Sequence, residues 1–466
     1  MKSVDSFIVK MRQERLPQAA IEMFSQFYGR LATGKGPIIP ETDIVPAQTD
    51  QIERLERLAP YREKGVEALG QTVVVKLNGG LGTTMGLNGP KSLFEAKIGL
   101  SFLDIVLQQM RHARELFERN SPLVLMNSFF TESATLQVLK SCQDIREGLV
   151  HSFVQHKYPK VVIETFEPAS SPGERLLEWN PAGHGDLLLA METSGLLRRL
   201  VEAGYRYLFV SNIDNLSAGI DTGILGYFES ERLDFLMEVT ERTPIDRKGG
   251  HLARFPDGRL MLREASQCDH GDRTSCADIG RHPFFNTNNI WINLESVQKI
   301  LGEKKLATIP FIANPKTLDP LDPDSPRVYH IESALGSAIE LFERSAAIRV
   351  DRSRFSPVKS CEDLLLLWSD YYALQEGFRV AINPERKLDQ IEISLDPAFY
   401  SGIFSLRSRF PHGPPSLINC QSFSLQGDVR FGRNVAVHGT VSIANYRSRQ
   451  VGIEDGRHID HDLIFD

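Results

Sequence analysis

The 466-residue chain is 41% hydrophobic and 24% charged, an ordinary globular balance that excludes a disordered or collagen-like protein. Its 53 basic and 60 acidic residues leave a net charge of −7, which gives no support to a nucleic-acid binder. No apolar run approaches the ~18 residues that would span a bilayer, and Cys142, Cys268, Cys276, Cys361 and Cys420 are scattered and odd in number, the usage of a reducing cytosol rather than of a disulfide framework.

The start, MKSVDSFIVKMRQERLPQ, is charged and amphipathic, unlike a signal peptide. The expected location is therefore cytoplasmic, with no nucleic acid and no membrane among the partners. At roughly 100–200 residues per domain the length suggests two or three domains. Between residues 4 and 31 the apolar residues Val4, Phe7, Ile8, Met11, Ile21, Phe24, Phe27 and Tyr28 recur at helical spacing, with Pro17 as an interruption. A Pro-containing loop follows (Gly36, Pro37, Pro40, Pro46), then a charged helix predicted over Asp50–Leu69.

At Thr72–Leu77 the pattern changes to TVVVKL, a β-branched run suited to a strand buried on both faces. Ser101 is placed to cap a helix that runs to Phe117. Leu123–Met126 and Tyr207–Val210 read as two further buried strands, the latter preceded by a helix through Leu187–Ala203. This alternation predicts an α/β fold with a mainly parallel sheet. Between residues 234 and 293 strands crowd together, with a hairpin at Pro256-Asp257-Gly258; they form either an antiparallel insert or an extension of the main sheet. From Ser424 the chain reads SLQGDVRFGRNVAVHGTVSIAN, which suits coils of a β-helix or an ordinary β-meander. Two coils bury too little alone, so such a tail must pack on its neighbour or on a second copy of the chain.

Five motifs offer chemistry. In Lys76–Ser92, KLNGGLGTTMGLNGPKS, the glycines Gly79, Gly80, Gly82, Gly86 and Gly89 follow a buried strand directly. That density is costly in chain entropy, and it suits a backbone that points N–H groups at phosphates. It is neither a Walker loop, since Pro90 separates Gly89 from Lys91, nor a dinucleotide fingerprint, since Met85 stands where the last glycine belongs. Lys91 is placed to meet a phosphate as a point charge. In WNPAGHGD, Gly183 and Gly185 flank His184 ahead of a helix. VSNIDNL ends a buried strand, where Asp214 is the natural Mg²⁺ ligand. FFNTNNIWIN presents side-chain amides suited to a polyhydroxylated ligand. Lys359, in FSPVKSC, carries little weight alone. Cys268, His270, Cys276 and His282 share a loop, but their spacing fits no usual zinc pattern.

Together these motifs resemble the eukaryotic-type UTP–glucose-1-phosphate uridylyltransferases (UDP-glucose pyrophosphorylases), over about residues 70 to 445 and in the family's order. LNGGLGTTMGLNGPKS, LVLMNSF, QHKYPKV, PAGHGD, VSNIDNL, KGGHLAR, FNTNNIWIN and PVKSCEDLLL carry the resemblance. It implies a glycosyltransferase-A-like (Rossmann-like) nucleotide-binding domain with a C-terminal left-handed β-helix. The expected division is residues 1–70 as an N-terminal helical segment, 71–385 as the nucleotidyltransferase domain and 386–466 as the β-helix.

The resemblance also implies roles. Leu77, Asn78, Gly79 and Gly80 would hold the nucleotide through the backbone, with Lys91 on the UTP phosphates. Gln155 and Gly183 would read the uracil. His184 would contact the sugar phosphate, Asn212 and Asp214 would span sugar and Mg²⁺, and Asn286 and Asn288 would hold the hexose. Lys359 and Lys91 would be catalytic. The implied reaction joins UTP and glucose 1-phosphate into UDP-glucose and pyrophosphate. The alternatives are a UDP-N-acetylhexosamine or broad-specificity UDP-sugar pyrophosphorylase, or a non-catalytic sugar-nucleotide sensor.

Overall fold

The β-branched runs become the centre of an eleven-stranded sheet. A computed structural model describes residues 3–34, 38–87, 89–244, 246 and 249–466. Gly36 and Pro37 of the early loop, Asn88 of the glycine loop and Lys248 of KGGHLAR lie outside the described residues.

The main order of the sheet is Glu53–Arg54, Ser345–Arg349, Phe235–Glu241, Phe284–Asn293, Tyr207–Asn212, Thr72–Asn78, Leu123–Asn127 and Val150–Val154. Five of the seven pairings along that order are parallel, and both antiparallel ones involve Phe284–Asn293. The fold is thus mixed α/β around a parallel-dominated sheet. Val73, Val74 and Val75 are almost wholly buried, and each such side chain contributes about 1.5–3 kcal/mol of burial. The crowded strands extend the main sheet: His251–Arg254 pairs with Leu260–Arg263 across the Asp257-Gly258 turn, and His251 meets Phe285.

The chain divides into two units. Met1–Gly79, Arg119–Asn212 and Ile220–Arg352 form the first; Gly80–Glu118, Ile213–Gly219 and Ser353–Asp466 form the second.

In the first unit the helices Asp5–Gln13 and Gln18–Ala32 are separated at Pro17 as the spacing predicts. Their aromatic face packs Phe7 on Phe24 (5.3 Å between ring centres) and Phe24 on Tyr158 (5.4 Å). The motif-poor N-terminus therefore backs the strand that follows Gln155. The long helix expected over Asp50–Leu69 does not form. A 3₁₀ segment at Leu55–Tyr61 contains Pro60, and only Arg62–Ala68 is α-helical. Pro60 lacks an N–H and disfavours helix in the residue before it, while Glu53–Arg54 is drawn to the sheet edge. Likewise Leu187–Ala203 is two helices, Leu187–Thr193 and Leu196–Glu202, broken where Gly195 takes φ +71°.

A further correction concerns the thiols. Cys268 and Cys276 form a disulfide, with Cα atoms 6.6 Å apart across a short helical turn. The sequence was expected to carry no such bridge; scattered spacing along the chain gave no sign that this loop doubles back.

In the second unit Ser101 caps the helix Phe102–Phe117 as expected, and Asp104 completes the capping box. Ser101 Oγ accepts the Asp104 N–H at 3.1 Å, and the Asp104 carboxylate accepts the Ser101 N–H at 2.9 Å. Beyond residue 390 the sheets are small. Glu392–Leu395, Cys420–Gln426, Gly439–Asn445 and Leu463–Phe465 stack in parallel. Val429–Phe431 lies on Val451–Ile453, and Ala436–Val437 on His458–Ile459, again in parallel.

Candidate active site

In open α/β sheets ligands bind beyond the carboxyl ends of the parallel strands. Three neighbouring strands of the first unit end there on asparagine: Asn78, Asn127 and Asn212. Asn78 pairs opposite Asn127, and Asn212 opposite Leu77. Asn78 Nδ2 donates to Asn127 Oδ1 at 2.8 Å and to Thr135 Oγ1 at 3.0 Å, while Thr131 Oγ1 donates to the Asn78 carbonyl at 2.7 Å. The Asn78 amide therefore holds strand ends together.

Gly79, Gln155 and Gly183 come together. Gln155 Oε1 accepts the Gly183 N–H at 3.1 Å. A Cβ on Gly79 would stand 2.4 Å from Gln155 Nε2. Gly183 takes φ +87°, and a Cβ there would stand 2.5 Å from the Ser333 carbonyl. At the first position the approach is to the end of the Gln155 side chain, which could shift to admit a Cβ; at the second, both the backbone neighbour and the positive φ demand glycine.

Asp186, the last residue of WNPAGHGD, has a defined task. Its Oδ2 accepts the His156 N–H at 2.7 Å and its Oδ1 lies 2.9 Å from His156 Nδ1. It ties the segment after Gln155 to the segment after Gly183. His184, half-buried, accepts the Leu335 N–H on Nδ1 at 3.0 Å. Its neutral ring then carries the proton on Nε2, the atom able to donate to an anion.

Asn212, Asn286 and Asn288 form the third group. Asn288 Nδ2 donates to Asn212 Oδ1 at 2.9 Å, and the Asn288 N–H donates to Asn286 Oδ1 at 2.8 Å. Asn288 adopts φ +58°, a conformation that asparagine tolerates better than most residues. Its Oδ1 is buried without a partner, an acceptor available to a hydroxyl donor. Gly336 makes room beneath, since a Cβ there would stand 2.8 Å from Asn286 Nδ2.

The second unit holds the charges. The glycine loop closes on itself: the Leu87 N–H donates to the Gly82 carbonyl at 3.0 Å and the Lys91 N–H to Gly80 at 3.3 Å. A Cβ on Gly80 would meet nothing within 4 Å, so packing does not demand glycine there. Lys91 Nζ lies 2.6 Å from Asp214 Oδ2 and also donates to the Val358 carbonyl. Val358 N–H returns to the Asp214 carbonyl at 3.3 Å. The structure thus brings Lys91 and Asp214 to the residue next to Lys359.

Lys359 is exposed, just before the helix Cys361–Trp368. Its N–H and that of Ser360 both donate to Asp363 Oδ2, at 2.8 and 2.9 Å. Burial raises the Asp363 carboxyl, and these donors work against that shift. Asn215 stitches the approach to this turn: its Oδ1 accepts the Ser356 N–H at 3.1 Å and its Nδ2 donates to the Arg354 carbonyl at 3.1 Å. Sequence reasoning passed over Asn215, although it lies inside VSNIDNL.

Asp214 fits a hard divalent cation. Its Oδ1 is buried without a partner, while Oδ2 is paired to Lys91. Among the described residues no group of three or more His, Cys, Asp or Glu could hold a metal. Mg²⁺ is commonly bound by one or two carboxylates with substrate phosphates and needs no protein cage.

The UTP–glucose-1-phosphate uridylyltransferase family model matches residues 21–438. The chain belongs to that family. Among relatives, the UTP–glucose-1-phosphate uridylyltransferase of Encephalitozoon cuniculi is 36% identical over 446 residues, covering 95% of this chain and 87% of its own. That of Solanum tuberosum is 36% identical over 438 residues, covering 93% and 90%. A Leishmania major UDP-glucose pyrophosphorylase variant, crystallised with UDP-glucose, is 38% identical with a TM-score of 0.92 over 100% of this chain and 99% of its own. The Trypanosoma brucei UDP-glucose phosphorylase structure is 38% identical, with a TM-score of 0.91 over 100% of both chains. Membership in the uridylyltransferase family gives the asparagine, glycine and lysine groups a common substrate set to be tested against.

Proposed function

We propose that this chain transfers the uridylyl group of UTP to glucose 1-phosphate, giving UDP-glucose and pyrophosphate, with the residues above in distinct roles. The observation that carries the reaction is the full-length match, at 38% identity, to an enzyme crystallised with UDP-glucose.

The nucleophile is a phosphate oxygen of glucose 1-phosphate. The second pKa of a phosphomonoester lies near ~6, so that oxygen is anionic at neutral pH and no general base is required. It attacks the α-phosphorus of UTP in line. The bond from that phosphorus to the bridging oxygen breaks, and pyrophosphate leaves with the electron pair. The barrier is repulsion between anions, which positioning and positive charge lower.

Lys91 and Lys359 supply that charge. Leu77, Asn78, Gly79 and Gly80 hold the nucleotide through the backbone, and Gln155 and Gly183 read the uracil. His184 donates from Nε2 to the sugar phosphate. Asn286 and Asn288 bind hexose hydroxyls, and Asn212 and Asp214 would span sugar and Mg²⁺. Asp214 Oδ1 is the oxygen that would hold Mg²⁺, which when bound neutralises phosphate charge and acts as a Lewis acid.

We further propose residues 71–385 as a glycosyltransferase-A-like domain, 1–70 as an N-terminal helical segment and 386–466 as a left-handed β-helix. Three separate parallel ladders in the tail support the last assignment. The same tail is a candidate surface for a second copy of the chain, and the cytoplasm is the proposed location. No described helix is long and apolar enough to cross a membrane.

The test is pyrophosphate release from UTP, ATP and dTTP with glucose, galactose and N-acetylglucosamine 1-phosphates. The expected result is turnover with UTP and glucose 1-phosphate ahead of the other pairs. Preference for the N-acetylhexosamine would replace the sugar assignment. Binding of UDP-glucose without any turnover would make the chain a sensor.

A further inference from the structure

We propose that Glu238 is a positioning residue that sets affinity for the sugar phosphate by holding the asparagine bulge 287–289; this rests on the hexose role given above to Asn286 and Asn288. Glu238 is 0% exposed, in the middle of the otherwise apolar run FLMEV of the Phe235–Glu241 strand. A carboxylate in such a place costs several kcal/mol unless its oxygens are satisfied. The opposite strand satisfies them. Asn289 Nδ2 donates to Glu238 Oε2 at 3.1 Å, and Trp291 Nε1 donates to Oε1 at 3.0 Å. The Glu238 carbonyl accepts from Thr287 Oγ1 at 2.7 Å.

These three bonds coincide with a break in the sheet register. Met237 pairs with Ile290 and Val239 with Asn286, so Thr287, Asn288 and Asn289 all face Glu238. Such a bulge bends its strand and re-aims its side chains. Thr287 and Asn289, on either side of Asn288, are both anchored on Glu238. Asn288 between them is pushed to φ +58° and reaches Asn212. The acid thus fixes a residue that it does not itself touch through any of these bonds.

The bonding pattern makes a specific demand. Each carboxylate oxygen faces an N–H donor, so residue 238 must accept on both sides. Glutamine has the same shape but accepts on one side only; with its Oε1 kept on the Trp291 indole N–H, its NH₂ faces Asn289 Nδ2, and the Asn289 amide must turn over and give up the orientation that anchors the bulge. Exchanging the partners restores the match. With Glu238→Gln and Asn289→Asp together, the introduced amide donates from its Nε2 to the new carboxylate, and its Oε1 still accepts from Trp291.

The experiment uses the full chain with ¹⁵N-asparagine labelling and steady-state kinetics. In E238Q the Asn288 amide resonance should move, and KM for glucose 1-phosphate should rise about tenfold while KM for UTP stays within about twofold. The E238Q/N289D double variant should return both. An Asn288 resonance unmoved in folded E238Q overturns the proposal, as does a double variant that fails to restore it. If E238Q does not fold, Trp291→Phe removes one donor and keeps an aromatic ring; it should give the same signature at smaller amplitude, and no movement overturns the proposal. Resonance movement and recovery with an unchanged sugar-phosphate KM would uphold the positioning by Glu238 and overturn the hexose assignment instead.

Discussion

Lys91 and Asp214, 123 residues apart in sequence, meet at 2.6 Å through one carboxylate oxygen only. The other oxygen, Oδ1, is buried and has no partner. The Lys91 ammonium occupies one side of the carboxylate, and the second oxygen remains open to a hard cation. Asp214→Asn should therefore raise the Mg²⁺ concentration needed for half-maximal turnover by at least about tenfold. A metal titration that coincides with wild type would remove Asp214 from that role.

The catalytic role proposed for Lys359 can be tested apart from stability. Its backbone N–H bonds Asp363, and alanine keeps that bond. The side chain is exposed. Lys359→Ala should melt within about 2 °C of wild type while kcat falls by about 10²-fold or more, the scale seen when one charge-stabilising donor is lost. Full turnover in the variant would end the catalytic assignment.

At Gly183 the opposite holds, since site and fold are coupled. A methyl group would meet the Ser333 carbonyl at 2.5 Å in a backbone with φ +87°. Gly183→Ala should lose about 2–4 kcal/mol of stability and weaken UTP binding, because the N–H donated to Gln155 shifts with the loop. Denaturant melts and UTP titration measure the two effects. An unaltered melt would show that the loop relaxes freely.

Glu340 gives a pH signature. Burial raises its carboxyl from 4.5 to about 7, with Arg259 and Arg30 pulling the other way, and its Oε1 is buried without a partner. Between those values the folded chain keeps a proton that the unfolded chain has released. The contribution to stability is therefore fully present below the lower value, and it is lost as pH rises through the upper one. Glu340→Gln stays neutral throughout. It should match wild type near pH 4.5 and exceed it at pH 8 by on the order of 1–3 kcal/mol. Parallel melting curves for the two proteins across that range would contradict the assignment.

Much of this molecule is legible in its sequence because its central strands are continuous apolar runs. Thr72–Asn78, Leu123–Asn127 and Tyr207–Asn212 lie within a few residues of where the pattern put them, and all three run parallel. Glycine density and strand ends pointed to Gly79, Gly183 and Asp214. What stayed hidden depends on contacts distant in sequence. Helical propensity over Asp50–Leu69 lost to Pro60 and to an edge-strand pairing with Ile348 and Arg349. The bulge at 287–289 has no period of its own; it exists because Glu238 lies across from it. A lone acid inside FLMEV was the one available hint. The Cys268–Cys276 bridge likewise depends on a loop closure that spacing alone does not encode.

The left-handed backbone of Asn288 narrows the choices open to evolution and to engineers. Residues that accept φ near +58° without strain are few: glycine, asparagine, aspartate and, less readily, histidine. Substitution at this position therefore works with a short alphabet. A bulky or branched replacement would first have to unmake the bulge that carries it. Position 286 has no such backbone constraint, but its Oδ1 accepts the Asn288 N–H at 2.8 Å, so a replacement there must keep an acceptor.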